Sequence, residues 1–298
     1  MSARAANLVG ALACVLVLSA AAPAAAYCRS TTCDPTSEEE DACWLDENGC
    51  EVGGHPLFWR SRCATYSVQR DGSPLRGISF EDAARVIADA LAQWSSVDCG
   101  GQAPSLEFIP TEPVDCNQQE YNDDGPNANI WTFRDDDWPY EDEGWTLALT
   151  TTTFDVETGE IYDADVEVNT FEHAIGVGIS AWPNDLESII THEAGHVLGL
   201  GHSLDLTATM YPIYVRGMCV LGEDDRRGMC AVYPPYREAA DCVPVPRHGF
   251  STACGENSDG GGCGCTIAAG PQRARSVAAL LVWLVAAARR SRRRSCNG

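Results

Sequence analysis

Residues 192–202 read HEAGHVLGLGH, and the fold is decided by how that stretch is read. His192 and His196 stand four apart, so a helix puts both imidazoles on one face within reach of a single ion. Glu193 sits beside them, where its carboxylate can contact a metal-bound water. Helical His pairs also arise by chance or as satisfied core residues, and the extension of the motif is what argues against that. Gly199 can take the left-handed conformation that ends a helix, which lets the chain turn and return His202 from another direction. Three neutral histidines leave a fourth tetrahedral position open, the arrangement of a catalytic rather than a structural zinc.

The rest of the composition fits an enzyme better than a nucleic-acid binder. The 298 residues are 45% hydrophobic, enough for a folded core, and 43 acids against 20 Arg and no Lys leave a formal charge of -23. Such a chain repels phosphate backbones. Its 15 cysteines, five of them at positions 28, 33, 43, 50 and 63, show no CxxC pair and read as disulfides of an oxidising compartment. Eleven cysteines lie from Cys28 to Cys254, so one is free, pairs with Cys263 or Cys265, or pairs with another chain.

Both ends carry processing signals. Residues 1–26 hold Arg4, an apolar run and the small residues Ala24, Ala25 and Ala26, a secretory signal peptide cleaved after Ala26; Tyr27 before Cys28 argues against a lipoprotein. Near the other end come a Gly-Cys-Gly-Cys stretch at 262–265, an apolar run at 277–288 and arginines from 289 to 294. The run is shorter than the roughly 20 residues a bilayer span requires, and reads as a weak anchor with its Arg cluster inside. This layout resembles the C-terminal sorting domain of secreted myxobacterial proteins. The resemblance implies a tail cut near Cys263 or Cys265 by a sorting protease, and a product held at the cell surface, with the membrane engaged only through the tail.

Between the ends, Ser79 with Asp82 marks a helix start, and Phe80, Ala84, Ile87, Leu91 and Trp94 form one stripe over 78–97. Strands are predicted at 105–109, 129–133, 145–153 and 162–168. In the last of these Ala164, Val166 and Val168 alternate with Asp163, Asp165 and Glu167, the pattern of a half-buried strand. A second helix begins after Pro183-Asn184, with Glu187 at the capping-box position, and runs into the histidines.

Eight residues beyond His202 comes Met210, in the string ATMYPIY. HExxHxxGxxH followed by such a Met-turn resembles the metzincin metalloproteases. Gly195, Ser203, the spacing from His202 to Met210 and the Met210-Tyr211-Pro212-x-Tyr214 string are most similar to the matrixin branch. The likeness extends from about residue 57 to 233, including Asp224-Asp225 in a last helix at 221–233. It implies an α+β metzincin (zincin-like) fold: a twisted mixed β-sheet with about three helices and an active-site cleft. It also implies zinc held by His192, His196 and His202, Glu193 as general base, and Met210 as an apolar floor rather than a ligand. Leu147, Ala148 and Leu149 would present a strand edge to a protein or peptide substrate, and Pro212, Ile213 and Tyr214 would wall the pocket for the side chain after the scissile bond.

The implied organisation is a signal peptide (1–26), a Cys-rich segment (27–55), a catalytic domain (56–237), a Cys-containing Gly/Ser linker (238–262) and the sorting tail (263–298). Two departures from the matrixin pattern stand out. No PRCGxPD-like propeptide string is present, leaving only Cys28 or Cys33 as an unconventional cap on the zinc. The stretch 154–169 has no His for a second, structural zinc, so one zinc is expected. Its acids Asp155, Glu157, Asp163, Asp165 and Glu167, with Asn122-Asp123-Asp124, could bind calcium through oxygen or simply be solvated. His55, His173 and His248 have no motif context. The function expected is a secreted or surface-held zinc endopeptidase; the rival is a catalytically silent adhesion module on the same scaffold.

Overall fold

The computed structural model describes residues 26–39, 41–140, 144–178, 183–254 and 274–278. The expected signal peptide up to residue 25, Cys263, Cys265 and the Arg cluster lie outside them. No helix among the described residues is long and apolar enough to cross a membrane.

The main sheet runs in the order β10-β6-β7-β5-β3-β4, built from β3 (Cys63–Val68), β4 (Glu107–Pro110), β5 (Ile130–Phe133), β6 (Ala148–Asp155), β7 (Ile161–Val168) and a short β10 (Ala274–Ala278). β3 pairs parallel with β4 and β5, and β5 with β7, whereas β6 is antiparallel to β7. The parallel step from β3 to β4 requires a crossover, supplied by helix α1 (Phe80–Ser95). Two-residue pairs complete the strands: β1 (Trp44–Leu45) with β2 (Glu51–Val52), and β8 (Ile175–Gly176) with β9 (Asn184–Asp185). The remaining helices are α2 (Leu186–Val197) and α3 (Glu223–Val232). The result is an α+β fold with a mixed sheet and three helices, as expected.

α1 starts where the sequence places it: the Ser79 side chain accepts from Asp82 N at 3.1 Å. Its buried face is rotated from the expected stripe. Ala83, Val86, Ile87, Ala90, Leu91 and Trp94 are buried, while Phe80 and Ala84 lie at the margin. α2 is capped by Asp185, which accepts from Ser188 N at 2.8 Å. Glu187 does not close a capping box; its carboxylate accepts from Gly178 N instead. Every α2 residue except Glu187 is buried, so this helix runs through the core.

Three aromatic donors tie α2 and its exit to the body. Trp94 Nε1 donates to Thr191 O (2.9 Å), Trp59 Nε1 to Val197 O (2.8 Å) and the Tyr233 hydroxyl to Leu198 O (2.9 Å). The bonds to Val197 O and Leu198 O satisfy carbonyls that the end of a helix leaves open, whereas Thr191 O lies mid-helix and takes the Trp94 bond as an extra one.

The expected half-exposure of β7 is corrected: Asp163, Asp165 and Glu167 are as buried as the apolar residues between them. The three acids share one face of the central strand β7, and that face is covered by the segments carrying Glu120, Arg134 and Tyr140. Asp165 accepts from Ile130 N (2.6 Å) and Glu120 N (2.8 Å); Glu167 binds the Tyr140 hydroxyl and lies 3.5 Å from Arg134. Burial, with repulsion from neighbouring carboxylates, pushes the Asp163 and Asp165 carboxyls well above the usual range.

Five disulfides join Cys28–Cys50, Cys33–Cys43, Cys63–Cys242, Cys99–Cys230 and Cys116–Cys254. Cys219, the eleventh cysteine of that stretch, is disulfide-bonded as well. Cys63–Cys242 spans 179 positions and fastens β3 to the segment that follows the last helix.

Candidate metal centre

α2 brings His192 and His196 together one turn apart, with their Nε2 atoms 3.1 Å from each other. At Gly199 the chain takes φ 81°, and a Cβ there would lie 2.5 Å from Leu57 O, so both conformation and space demand glycine. His202 then returns with its ring centroid 5.4 Å from that of His192 and 5.1 Å from that of His196. One ligand atom from each of the three lies within 4.8 Å of the others.

The outward nitrogens of two rings are fixed by main-chain carbonyls: His192 Nδ1 lies 2.7 Å from Thr209 O and His196 Nδ1 2.8 Å from Leu200 O. A carbonyl only accepts, so each Nδ1 carries the hydrogen and each Nε2 turns a lone pair inward. Two lone pairs at 3.1 Å repel each other unless a cation lies between them, and His202 Nε2 is buried without a hydrogen-bond partner. Burial lowers the basicity of all three rings, of His196 to about 4 and of His202 to about 3, so they are neutral at pH 7. Neutral imidazoles in this array fit a zinc ion.

Glu193 is fully buried between the histidines and β6. Its Oε2 accepts from Thr150 Oγ1 at 2.6 Å, and its Oε1 is buried with no partner. Burial pushes this carboxyl up to about 8, with the Thr150 bond opposing the shift. Thr150 was not expected from the sequence; its place just past the predicted edge residues 147–149 was the available signal.

Met210 lies beneath α2: a Cβ at Gly195 would come within 2.1 Å of the Met210 sulfur and 3.0 Å of Trp94. The Met-turn hangs from Asp225, which accepts from Thr209 N (2.7 Å), Met210 N (3.0 Å) and Gly222 N (2.6 Å). Asp224 accepts from Ser203 Oγ (2.6 Å), just after His202. These roles of Asp224 and Asp225 are long-range and left no local signal beyond the pair itself.

Leu147, Ala148 and Leu149 are buried, and 148–150 pair with β7 alone among the described strands, since β10 covers 151–155. Ile213 and Tyr214 line a narrow crevice with Ser188, Thr209 and Tyr211 that has no room for a water molecule, and Pro212 stands outside it. The Tyr214 hydroxyl donates to Asp185 Oδ2 (2.7 Å), tying the wall to the cap of α2. The idea of Cys28 or Cys33 as a cap on the metal is corrected, because both are in disulfides and offer no thiolate. Asp155 and Glu157 lie in a turn stitched by Asp155 itself, apart from the buried acids of β7. His55 and His248 are exposed and belong to no metal group among the described residues.

A buried three-histidine centre with an adjacent carboxylate is the donor set of zinc sites that keep an open position for chemistry. Residues 58–234, more than half of the chain, match the Matrixin family, and the chain belongs to that family. It is 31% identical over 162 residues to matrix metalloproteinase-C of Caenorhabditis elegans, covering 54% of this chain and 25% of that protein. It is 31% identical over 184 residues to metalloendoproteinase 1-MMP of Arabidopsis thaliana, covering 59% and 44%. Matrix metalloproteinase-25 of Homo sapiens matches at 28% over 183 residues, covering 59% and 29%. The chain thus spans less than half the length of these relatives.

Proposed function

We propose that the protein is a secreted, surface-held zinc endopeptidase that hydrolyses peptide bonds, with His192, His196 and His202 as ligands and Glu193 as general base. The observation that carries this is the unpartnered Glu193 Oε1 beside three inward-turned imidazoles. Zinc held there would polarise the scissile carbonyl and lower the pKa of a water. Glu193 Oε1 takes the proton of the attacking water and passes it to the leaving amine. Thr150, by holding Oε2, leaves Oε1 as the free face of the carboxylate. The backbone of 148–150 receives substrate as an added strand, and Ile213 and Tyr214 form the wall that meets the side chain after the cleaved bond once substrate opens the crevice beside them. Met210 packs under the ligands as an apolar floor.

The disulfides support export, because such bonds persist outside the reducing cytosol. Calcium, if part of this protein, belongs at the buried Asp163 and Asp165 rather than in the exposed turn at Asp155. The test of the main reading is cleavage of a mixed peptide library by the parent and Glu193→Ala, with and without a zinc chelator. Chelator-sensitive cleavage absent from Glu193→Ala is the expected result. A folded, zinc-loaded parent that cleaves nothing would favour the silent adhesion module.

A further inference from the structure

The short run 28–32 is the middle ply of a three-ply backbone ribbon. On one edge Ser30 N donates to Gly199 O (3.0 Å) and Gly201 N donates to Cys28 O (2.9 Å), with Arg29 opposite Leu200 in antiparallel sense. On the other edge Leu57 N donates to Ser30 O (2.8 Å) and Thr32 N to His55 O (2.9 Å), with Thr31 opposite Pro56.

Backbone groups alternate sides along an extended strand. Pinning the carbonyl of Gly199 and the N–H of Gly201 toward 28–30 therefore turns the N–H and carbonyl of Leu200 to the opposite side. There Leu200 N donates to Gly195 O (3.0 Å), and Leu200 O receives His196 Nδ1 (2.8 Å). Two residues further on, the same backbone carries His202.

Cys28 is buried and bonded to Cys50, next to the turn whose Gly49 lies against Leu204: a Cβ on Gly49 would be 2.8 Å from Leu204 Cδ1. The segment thus grips the third-histidine loop on both sides of His202. Cys33–Cys43 closes a separate loop of 10 positions.

We propose that the strand 28–32, locked by the Cys28–Cys50 disulfide, is a positioning element of the metal centre that sets the His196 ring and the approach of His202. It acts through the backbone of Gly199, Leu200 and Gly201 and touches neither substrate nor metal. The inference rests on the endopeptidase reading only in taking zinc as the ion. Partners that orient a ligand histidine govern metal affinity by about 10- to 100-fold.

The test measures zinc affinity of the full chain by competition with a chromophoric chelator. The Cys28→Ser/Cys50→Ser variant is expected to bind zinc about 10- to 100-fold more weakly, and its cobalt-substituted form to show an altered visible spectrum. Cys33→Ser/Cys43→Ser is expected to match the parent in both. Ser30→Pro keeps every disulfide and removes the N–H that donates to Gly199 O, leaving that carbonyl only the longer bond from Arg29 Nε; it is expected to weaken zinc in the same direction, and it decides the matter if the first variant does not fold. Parent-like zinc affinity in folded Cys28→Ser/Cys50→Ser, or in Ser30→Pro in its place, overturns the proposal. A parent that binds no zinc overturns the endopeptidase reading instead.

Discussion

Thr150 Oγ1 donates to Glu193 Oε2 at 2.6 Å, joining strand β6 to the helix that carries the histidines. A hydroxyl on a buried carboxylate contributes about 1.5–3 kcal/mol. Thr150→Val keeps the shape of the side chain and frees both carboxylate oxygens to rotate. We expect kcat to fall by about 10-fold or more with zinc content unchanged, and Thr150→Ser to recover most of it. Steady-state kinetics beside zinc stoichiometry check this; equal kcat in parent and Val variant would remove Thr150 from the mechanism.

Gly195 has no room for a methyl group, since its Cβ would meet the Met210 sulfur at 2.1 Å. Gly195→Ala should therefore destabilise the protein by about 1–3 kcal/mol through overpacking. Urea unfolding of the zinc-free protein separates this packing effect from metal affinity. A variant as stable as the parent would mean that Met210 moves aside at little cost.

Asp225 holds three main-chain N–H groups, two of them in the Met-turn. Asparagine presents an amide NH2 where one oxygen now accepts, leaving at least one buried donor unpaired. Asp225→Asn should cost about 1–3 kcal/mol. It should also weaken zinc, because Thr209 O orients His192. Thermal unfolding and chelator competition test both parts, and loss of stability with unchanged zinc affinity would confine Asp225 to a structural role.

The Asp163 and Asp165 carboxyls are raised in the fold chiefly by burial, with the charge of Asp165 adding to it at Asp163 and those of Glu167 and Glu120 at Asp165. A raised folded pKa contributes stability that is fully present below the ordinary carboxylate pKa and lost as pH rises through the raised value. In calcium-free buffer Asp163→Asn, which removes one of the two charges, should raise Tm at pH 8, with a smaller gain at pH 5. Melting curves at both pH values decide it. If added calcium stabilises the parent and not the variant, the pair holds a cation rather than a shared proton.

Much of the centre was legible before any tertiary contact was known. The His192–His196 spacing is a property of one helical turn, Gly199 a property of glycine's backbone, and the strands predicted at 129–133 and 162–168 emerged within one residue of their expected ends as Ile130–Phe133 and Ile161–Val168. The alternation in β7 misled, because period two reports which side chains share a face and says nothing of what covers the polar one. Asp163, Asp165 and Glu167 are buried because strands and loops distant in sequence pack over them.

By itself, then, the sequence determined that His192 and His196 share one helical face with Glu193 beside them and that the chain can turn at Gly199 to bring back His202, since those depend on residues a few positions apart. Only the tertiary structure decided which groups hold that set in place. Thr150 lies 43 positions from Glu193, and Arg29 reaches Gly199 across 170. Contacts over such separations follow from how sheet, helices and disulfides pack, and no local periodicity encodes them.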